Sequence, residues 1–152
     1  MNILPAFTLT CLFLLSACST HECRMDLPII PLSINDKSLR VEVAATPAAR
    51  RCGLSHRWKL ASNRGMLFVF KQEQQLHFWM QDTTIPLSIL YIDAKHIVRE
   101  HHDLTPHSTT FVSSRARAQY ALEANRGWFE DNMVKPGDKV VFTLPENMDT
   151  GR

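Results

Sequence analysis

The residues best placed to do chemistry lie between positions 78 and 83. Phe78, Trp79 and Met80 stand directly before Gln81, Asp82 and Thr83, so large apolar groups give way at once to polar ones, as where the floor of a pocket meets its rim. On an extended chain Phe78 and Met80 share one face and Trp79 takes the other. Two readings follow. Either all three are core, or Trp79 stacks on a flat or sugar-like ligand while Arg57, Asp82 and Thr83 supply charge and directional hydrogen bonds. Paired-carboxylate chemistry has Asp82 and Glu123 as its candidates, and Glu123 is equally suited to a structural ion pair with Arg57.

The histidines offer less. His96, His101, His102 and His107 are close in sequence, but neighbours on a strand point to opposite faces, so only His96 and His102 share a side, with Val98 and Glu100 between them. A closed zinc site takes four converging ligands, and no helical His-x-x-x-His spacing occurs. Met66, Met80 and His77 are soft enough for copper(I), yet methionine in an apolar strand is ordinary core filler. Ser108, Ser113 and Ser114 lie in a polar stretch without a Gly-x-Ser-x-Gly elbow. No catalytic residue, metal ligand or cofactor is assigned.

The four cysteines speak to location and stability. Residues 6–15 form an apolar run too short to span a bilayer as a helix and suited to the hydrophobic region of a signal peptide. Leu15-Ser16-Ala17-Cys18 resembles a bacterial lipobox, although residues 1–5 carry no Lys or Arg. The expectation is a signal peptide over 1–17 and acylation of Cys18, with chains such as palmitate anchoring the protein to a membrane. Ser19 after that cysteine, by resemblance to bacterial lipoproteins, implies the periplasmic face of the outer membrane. Cys11 leaves with the signal, so Cys23 and Cys52 remain. In an oxidising compartment they either form a disulfide or stay two independent thiols, Cys52 then being tuned by Arg50 and Arg51.

These residues need a scaffold. Residues 18–27 read as a tether, 28–145 as the folded domain and 146–152 as a tail. Alternation over 30–34 and 39–43 around Asn35-Asp36 predicts a hairpin. Thr46-Pro47 starts a short helix that Gly53 stops. Residues 65–70 and 87–92 are apolar on both faces and predict buried strands. A turn over 71–75 would carry the chain into a strand over 76–80, completing a second hairpin. Strands over 97–102, 120–124 and 140–144, a polar loop over 103–118 and a short helix over 126–134 complete the pattern. Many short strands and about two short helices predict a mainly β fold, a single-domain sandwich or barrel.

The composition agrees with one globular domain: 45% hydrophobic and 21% charged residues, with 17 Lys+Arg against 15 Asp+Glu for a formal charge of +2. Without a basic stripe interleaved with aromatics, nucleic acid is not an expected partner.

Several motifs in fixed order resemble the domain of unknown function 192 family: Gly53-Leu54 with Arg57; residues 65–70; Phe78-Trp79-Met80-Gln81-Asp82-Thr83 with Ile85-Pro86-Leu87; and Leu122-Glu123 with Gly127. The resemblance runs over residues 41–142. It implies a small β-rich domain, often exported, with no established activity. Ser55 stands where the family usually has methionine, and Ser88 where it usually has aspartate. The functional expectation is a lipid-anchored module holding a small polar or carbohydrate-like envelope ligand in a cleft of Arg57, Trp79, Asp82, Thr83 and Glu123. The alternatives are an envelope interaction protein and a hydrolase-like or metal-dependent enzyme.

Overall fold

The first hairpin shows local sequence and sheet in agreement. In the computed structural model, which describes Cys23, residues 25–146 and Met148, β1 (Ile29–Ile34) pairs antiparallel with β2 (Lys37–Ala44), Ile34 opposite Lys37. Asn35 and Asp36 join them with φ of 48° and 63°. A two-residue loop of this handedness matches the twist of the flanking strands, and Asn and Asp tolerate it better than most residues.

The chain then crosses over. In α1 (Pro47–Cys52) the Thr46 hydroxyl accepts a 3.1 Å hydrogen bond from the Ala49 amide, and proline occupies the first turn. The following segment returns the chain to β3 (Arg64–Gln74), which runs parallel to β2 with Val41 opposite Gly65. Next come β4 (His77–Phe78), β5 (Leu87–Ile92), β6 (Val98–Leu104), β7 (Val112–Ser113), β8 (Ala118–Asn125), α2 (Trp128–Asp131) and β9 (Val140–Phe142).

Seven strands form one sheet in the order β6-β5-β8-β3-β2-β1-β9, curled into a half-barrel. Its edge strands approach at one end, where Ile97 bridges Lys139 and Val98 exchanges backbone hydrogen bonds with Gly137 and Asp138. The fold is mainly β with two short helices, as expected. Leu32, Val41, Leu67, Leu90 and Leu122 fill the concave face with Phe129 and Phe142. On the convex face Met66, Phe68, Ile89 and Tyr91 are covered by Leu54, Leu76, Phe78, Met80 and Ile85. Two covered faces explain why residues 65–70 and 87–92 lack alternation.

The second half of the chain departs from expectation. Residues 71–74 extend β3 instead of turning, and Gln74 pairs with Ala118 beyond an irregularity after Val69. The strand expected over 76–80 shrinks to β4 and pairs with β7 in a separate two-stranded sheet. With β2 on one edge of β3 and β8 on the other, no edge remains for a second hairpin. β6 reaches Leu104 and β7 interrupts the expected loop, while the helix expected over 126–134 contracts to α2. Leu144 and Met148 pack against the concave core. The expected signal peptide, the acylation site Cys18 and most of the tether lie outside the described residues. Among the described residues no helix is long and apolar enough to cross a membrane.

Candidate functional site

The site begins with the alternation of β8. Ala121 belongs to the convex cluster, and Glu123, two residues on, shares that face, paired across the ladder with Met66 on one side and Ile89 on the other. These apolar neighbours leave Glu123 only 4% exposed. Burial pushes its carboxyl up to about 8, because the charged form loses its hydration without a compensating cation. Among the described residues no hydrogen bond or ion pair holds this carboxyl. At neutral pH it is mostly a protonated acid, able to donate as well as accept.

Glu123 lies in the lining of an open cleft of about 430 Å³ between the convex face and α1. Phe68, Phe70 and Phe78 form its aromatic wall, with Phe78 edge-on to Phe68 at 4.8 Å between centroids. Gly53 brings the end of α1 against that wall, where a Cβ would stand 3.4 Å from the Phe68 ring and the φ of 50° disfavours a side chain. Arg50 and Arg51 stand at the mouth. The Arg50 guanidinium donates to the carbonyls of Ala45 and Val69 and lies 4.8 Å above the Phe70 ring. Burial first and Arg51 second pull its pKa down. Arg51 is exposed. Trp79, 47% exposed, lies in the lining and stacks on Phe111 at 5.3 Å and 13°.

The expected site residues divide. Trp79, Thr83 and Glu123 line one cleft. Thr83 is buried, and its hydroxyl donates to the Gln81 carbonyl at 3.3 Å. Arg57 and Asp82 instead line a neighbouring hollow of about 340 Å³ with His56, Trp58, Thr84 and His107. The Arg57–Glu123 pair is not formed: Arg57 makes two 2.7 Å hydrogen bonds to Glu42, and Arg64 approaches the same carboxylate at 3.6 Å. The Arg57 hydrogen bonds lower the Glu42 pKa against its partial burial. Phe78 and Met80 are core, whereas Trp79 is exposed in the cleft lining, so the all-core reading holds for two of the three.

The other candidates have structural neighbours. Cys23 and Cys52 are joined by a disulfide with Cα atoms 5.2 Å apart, which removes Cys52 as a thiol. His96 stacks on Phe142 at 4.2 Å, whereas His102 bonds Glu100 at 2.8 Å and sits near Tyr91. The two therefore pack on opposite faces of the sheet: His96 shares the concave face with Val98, and the register shift that sets Ile92 opposite Val98 but Tyr91 opposite Glu100 leaves Arg99 as an extra residue and turns His102 to the other side. Among the described residues no three His, Cys, Asp or Glu side chains converge as metal ligands. The Ser114 hydroxyl accepts from the Leu76 amide, and Ser113 bonds the His77 ring. Ser88, where the family usually has aspartate, is buried between Asp103, to which it donates at 2.6 Å, and the Gly127 amide. It belongs to the face opposite Glu123. Sequence reasoning tied Arg50 and Arg51 to Cys52 and to a basic helix that would meet an envelope partner, and missed their place in the cleft lining. It also missed Phe111, whose only signal was an isolated aromatic in a polar stretch.

Fold and site together define a small curled-sheet domain with one cleft-lining buried acid. The chain belongs to the DUF192 family (Uncharacterized ACR), matched over residues 30–142. Two solved structures share the fold. One, from Sinorhizobium meliloti 1021 and provisionally described as a transcription regulator, is 30% identical with a TM-score of 0.75, covering 78% of this chain and 97% of its own. The other, a protein of unknown function from Novosphingobium aromaticivorans DSM 12444, is 30% identical with a TM-score of 0.73, covering 76% of this chain and 86% of its own. No curated protein matches the chain.

Proposed function

We propose that this protein is an exported, lipid-anchored binding module that holds a small polar or carbohydrate-like envelope ligand in the cleft between α1 and the convex face. The observation that carries the reading is Glu123: a carboxyl 4% exposed, in a cleft lining, without a hydrogen-bond or ion-pair partner among the described residues. A buried acid left unsatisfied costs on the order of 1–3 kcal/mol, and a ligand oxygen accepting its proton recovers that cost. Trp79, backed by Phe111, supplies a flat wall of the kind that sugar rings pack against.

The anchor rests on the lipobox-like Leu15-Ser16-Ala17-Cys18, and Ser19 after it favours the periplasmic face of the outer membrane by resemblance to bacterial lipoproteins. The Cys23–Cys52 bridge suits that compartment. A nucleic-acid role has little support in a chain of formal charge +2. An envelope protein acting only through its surface would need a broad apolar patch. The exposed large hydrophobics are spread out: Trp58 lines the hollow beside Asp82, Met133 follows α2, Ile29 and Val141 lie on the paired strands β1 and β9, and Trp79 stacks on Phe111 at the cleft.

Native mass spectrometry of the protein extracted from membranes tests the reading. A non-covalent mass should accompany the wild type and be lost in Trp79→Ala and Glu123→Leu. A wild type with no bound mass, and with Trp79 fluorescence unmoved by envelope sugars, overturns it. Cys18→Ser should release the protein from membranes, and continued membrane fractionation counts against the anchor.

A further inference from the structure

The Cys23–Cys52 bridge fixes which way the cleft can face. Cys52 is part of the cleft lining at the end of α1, and its partner Cys23 follows the expected acylation site Cys18 by five residues. At up to ~3.5 Å per residue that stretch reaches at most about 18 Å, and the bridge adds 5.2 Å between Cα atoms. A folded domain of this size is roughly 35 Å across. With Cys18 as the anchor, the chain cannot pass round to the far side, so the hemisphere that holds the cleft is kept toward the bilayer. Met25 and Leu27, on the way from the bridge to β1, pack against the same convex cluster as Phe68 and Phe78 of the cleft wall. The side so presented carries exposed aromatics: Trp79 is 47% and Phe111 57% exposed, and the two rings stack. Tryptophan, apolar in body with a polar N–H, settles at the level of lipid headgroups. Inside the cleft, Phe68, Phe70 and Phe78 give an apolar wall while Glu123 and Thr83 supply polar groups, a combination suited to an amphipathic ligand.

We infer that the cleft opens onto the bilayer that carries the anchor and that its ligand is the headgroup of a phospholipid in that bilayer. Glycerol and phosphodiester oxygens meet Glu123, and Trp79 with Phe111 sits among the neighbouring headgroups. This rests on the anchored binding reading above and names the ligand and its source. A soluble ligand would have to enter a mouth turned to the membrane, where a headgroup already stands.

The test uses the acylated full chain reconstituted in vesicles of phosphatidylethanolamine and phosphatidylglycerol, a share of which carry a nitroxide on the headgroup. Nitroxides quench tryptophan only at short range. Fluorescence should fall, and the part of the fall due to Trp79 should be lost in Trp79→Phe, which leaves Trp58 and Trp128 in place. Native mass spectrometry of the detergent-extracted wild type should find a bound phospholipid that is lost in Trp79→Ala and in Glu123→Leu, with circular dichroism showing that both variants are folded. These two results together support the inference. Equal quenching in wild type and Trp79→Phe overturns it, as does a phospholipid that survives in the folded Trp79→Ala protein. A bound compound that is not a lipid overturns it and leaves the binding reading standing. A wild type with no bound mass overturns it as well, and if envelope sugars also leave Trp79 fluorescence unmoved, both readings fall.

Discussion

Arg57 forks onto Glu42, its two terminal nitrogens each 2.7 Å from a different carboxylate oxygen. Both side chains are less than one-third exposed, so the pair ties the segment after α1 to β2 in a partly dry setting where charge-assisted hydrogen bonds are strong. With Arg57 engaged there, it does not pair with Glu123, whose burial keeps the carboxyl protonated. Arg57→Ala should destabilise the fold by about 1–3 kcal/mol in denaturant titration. Because Arg57 lowers the Glu42 pKa, the pair's contribution is present above the unfolded value near 4.5 and lost as pH falls below it. The variant should therefore show a shallower loss of stability in acid than the wild type.

Glu123 has the opposite sign. Its folded value of about 8 lies above the unfolded value near 4.5, so the folded state binds the proton more tightly. Its contribution is complete below about pH 4.5 and lost as pH rises toward 8. Within that window the loss grows by up to about 1.4 kcal/mol per pH unit. Glu123→Gln keeps the shape and removes the proton. Chemical denaturation should find it close to wild type at pH 5 and clearly more stable at pH 9; parallel profiles would show that Glu123 does not titrate late.

Gly65 sits opposite Ala124 in the β3–β8 ladder, where a Cβ would lie 2.6 Å from the Glu123 carbonyl oxygen. Backbone cannot yield as a flexible side chain does. Gly65→Ala should cost about 1–3 kcal/mol in thermal or denaturant unfolding and displace Glu123 in the cleft, weakening ligand binding. A neutral effect would mean that the two strands are not held this closely.

Phe78 and Trp79 are neighbours with different fates. Phe78 is buried against Phe68, and Phe78→Ala should cost about 3–5 kcal/mol. Trp79→Ala should cost less than about 1 kcal/mol while abolishing the bound mass. If Trp79→Ala unfolds the protein as readily as Phe78→Ala does, Trp79 is core and the cleft loses its wall.

The disulfide closes a separation of 29 residues. In the chain-entropy account that is worth roughly 3–4 kcal/mol, so the Cys23→Ser, Cys52→Ser double variant should show a lower melting temperature by calorimetry. A melting temperature equal to wild type would mean the bridge contributes nothing to the folded state's advantage.

Much of the scaffold is legible along the chain because its signals are local. Asn35-Asp36 between two alternating runs specifies a hairpin. Thr46-Pro47 and Gly53 bound a helix through capping and φ, and apolar runs without alternation mark strands covered on both faces. Phe78-Trp79-Met80 also announces a boundary between floor and rim, since side chains alternate whatever the strand's partner. What no local signal carries is pairing and distance. β3 lies beside β2 in parallel only because α1 turns the chain back, and this consumes the edge that 76–80 needed for a hairpin. The expected partner of Arg57 was Glu123, and the sheet brings Glu42 within its reach instead. The sequence by itself determined which residues are apolar and where the first hairpin turns and α1 starts and stops. The tertiary structure alone decided which acid stays buried and neutral, because a carboxyl's charge depends on neighbours supplied by distant strands and not on the residues beside it in the chain.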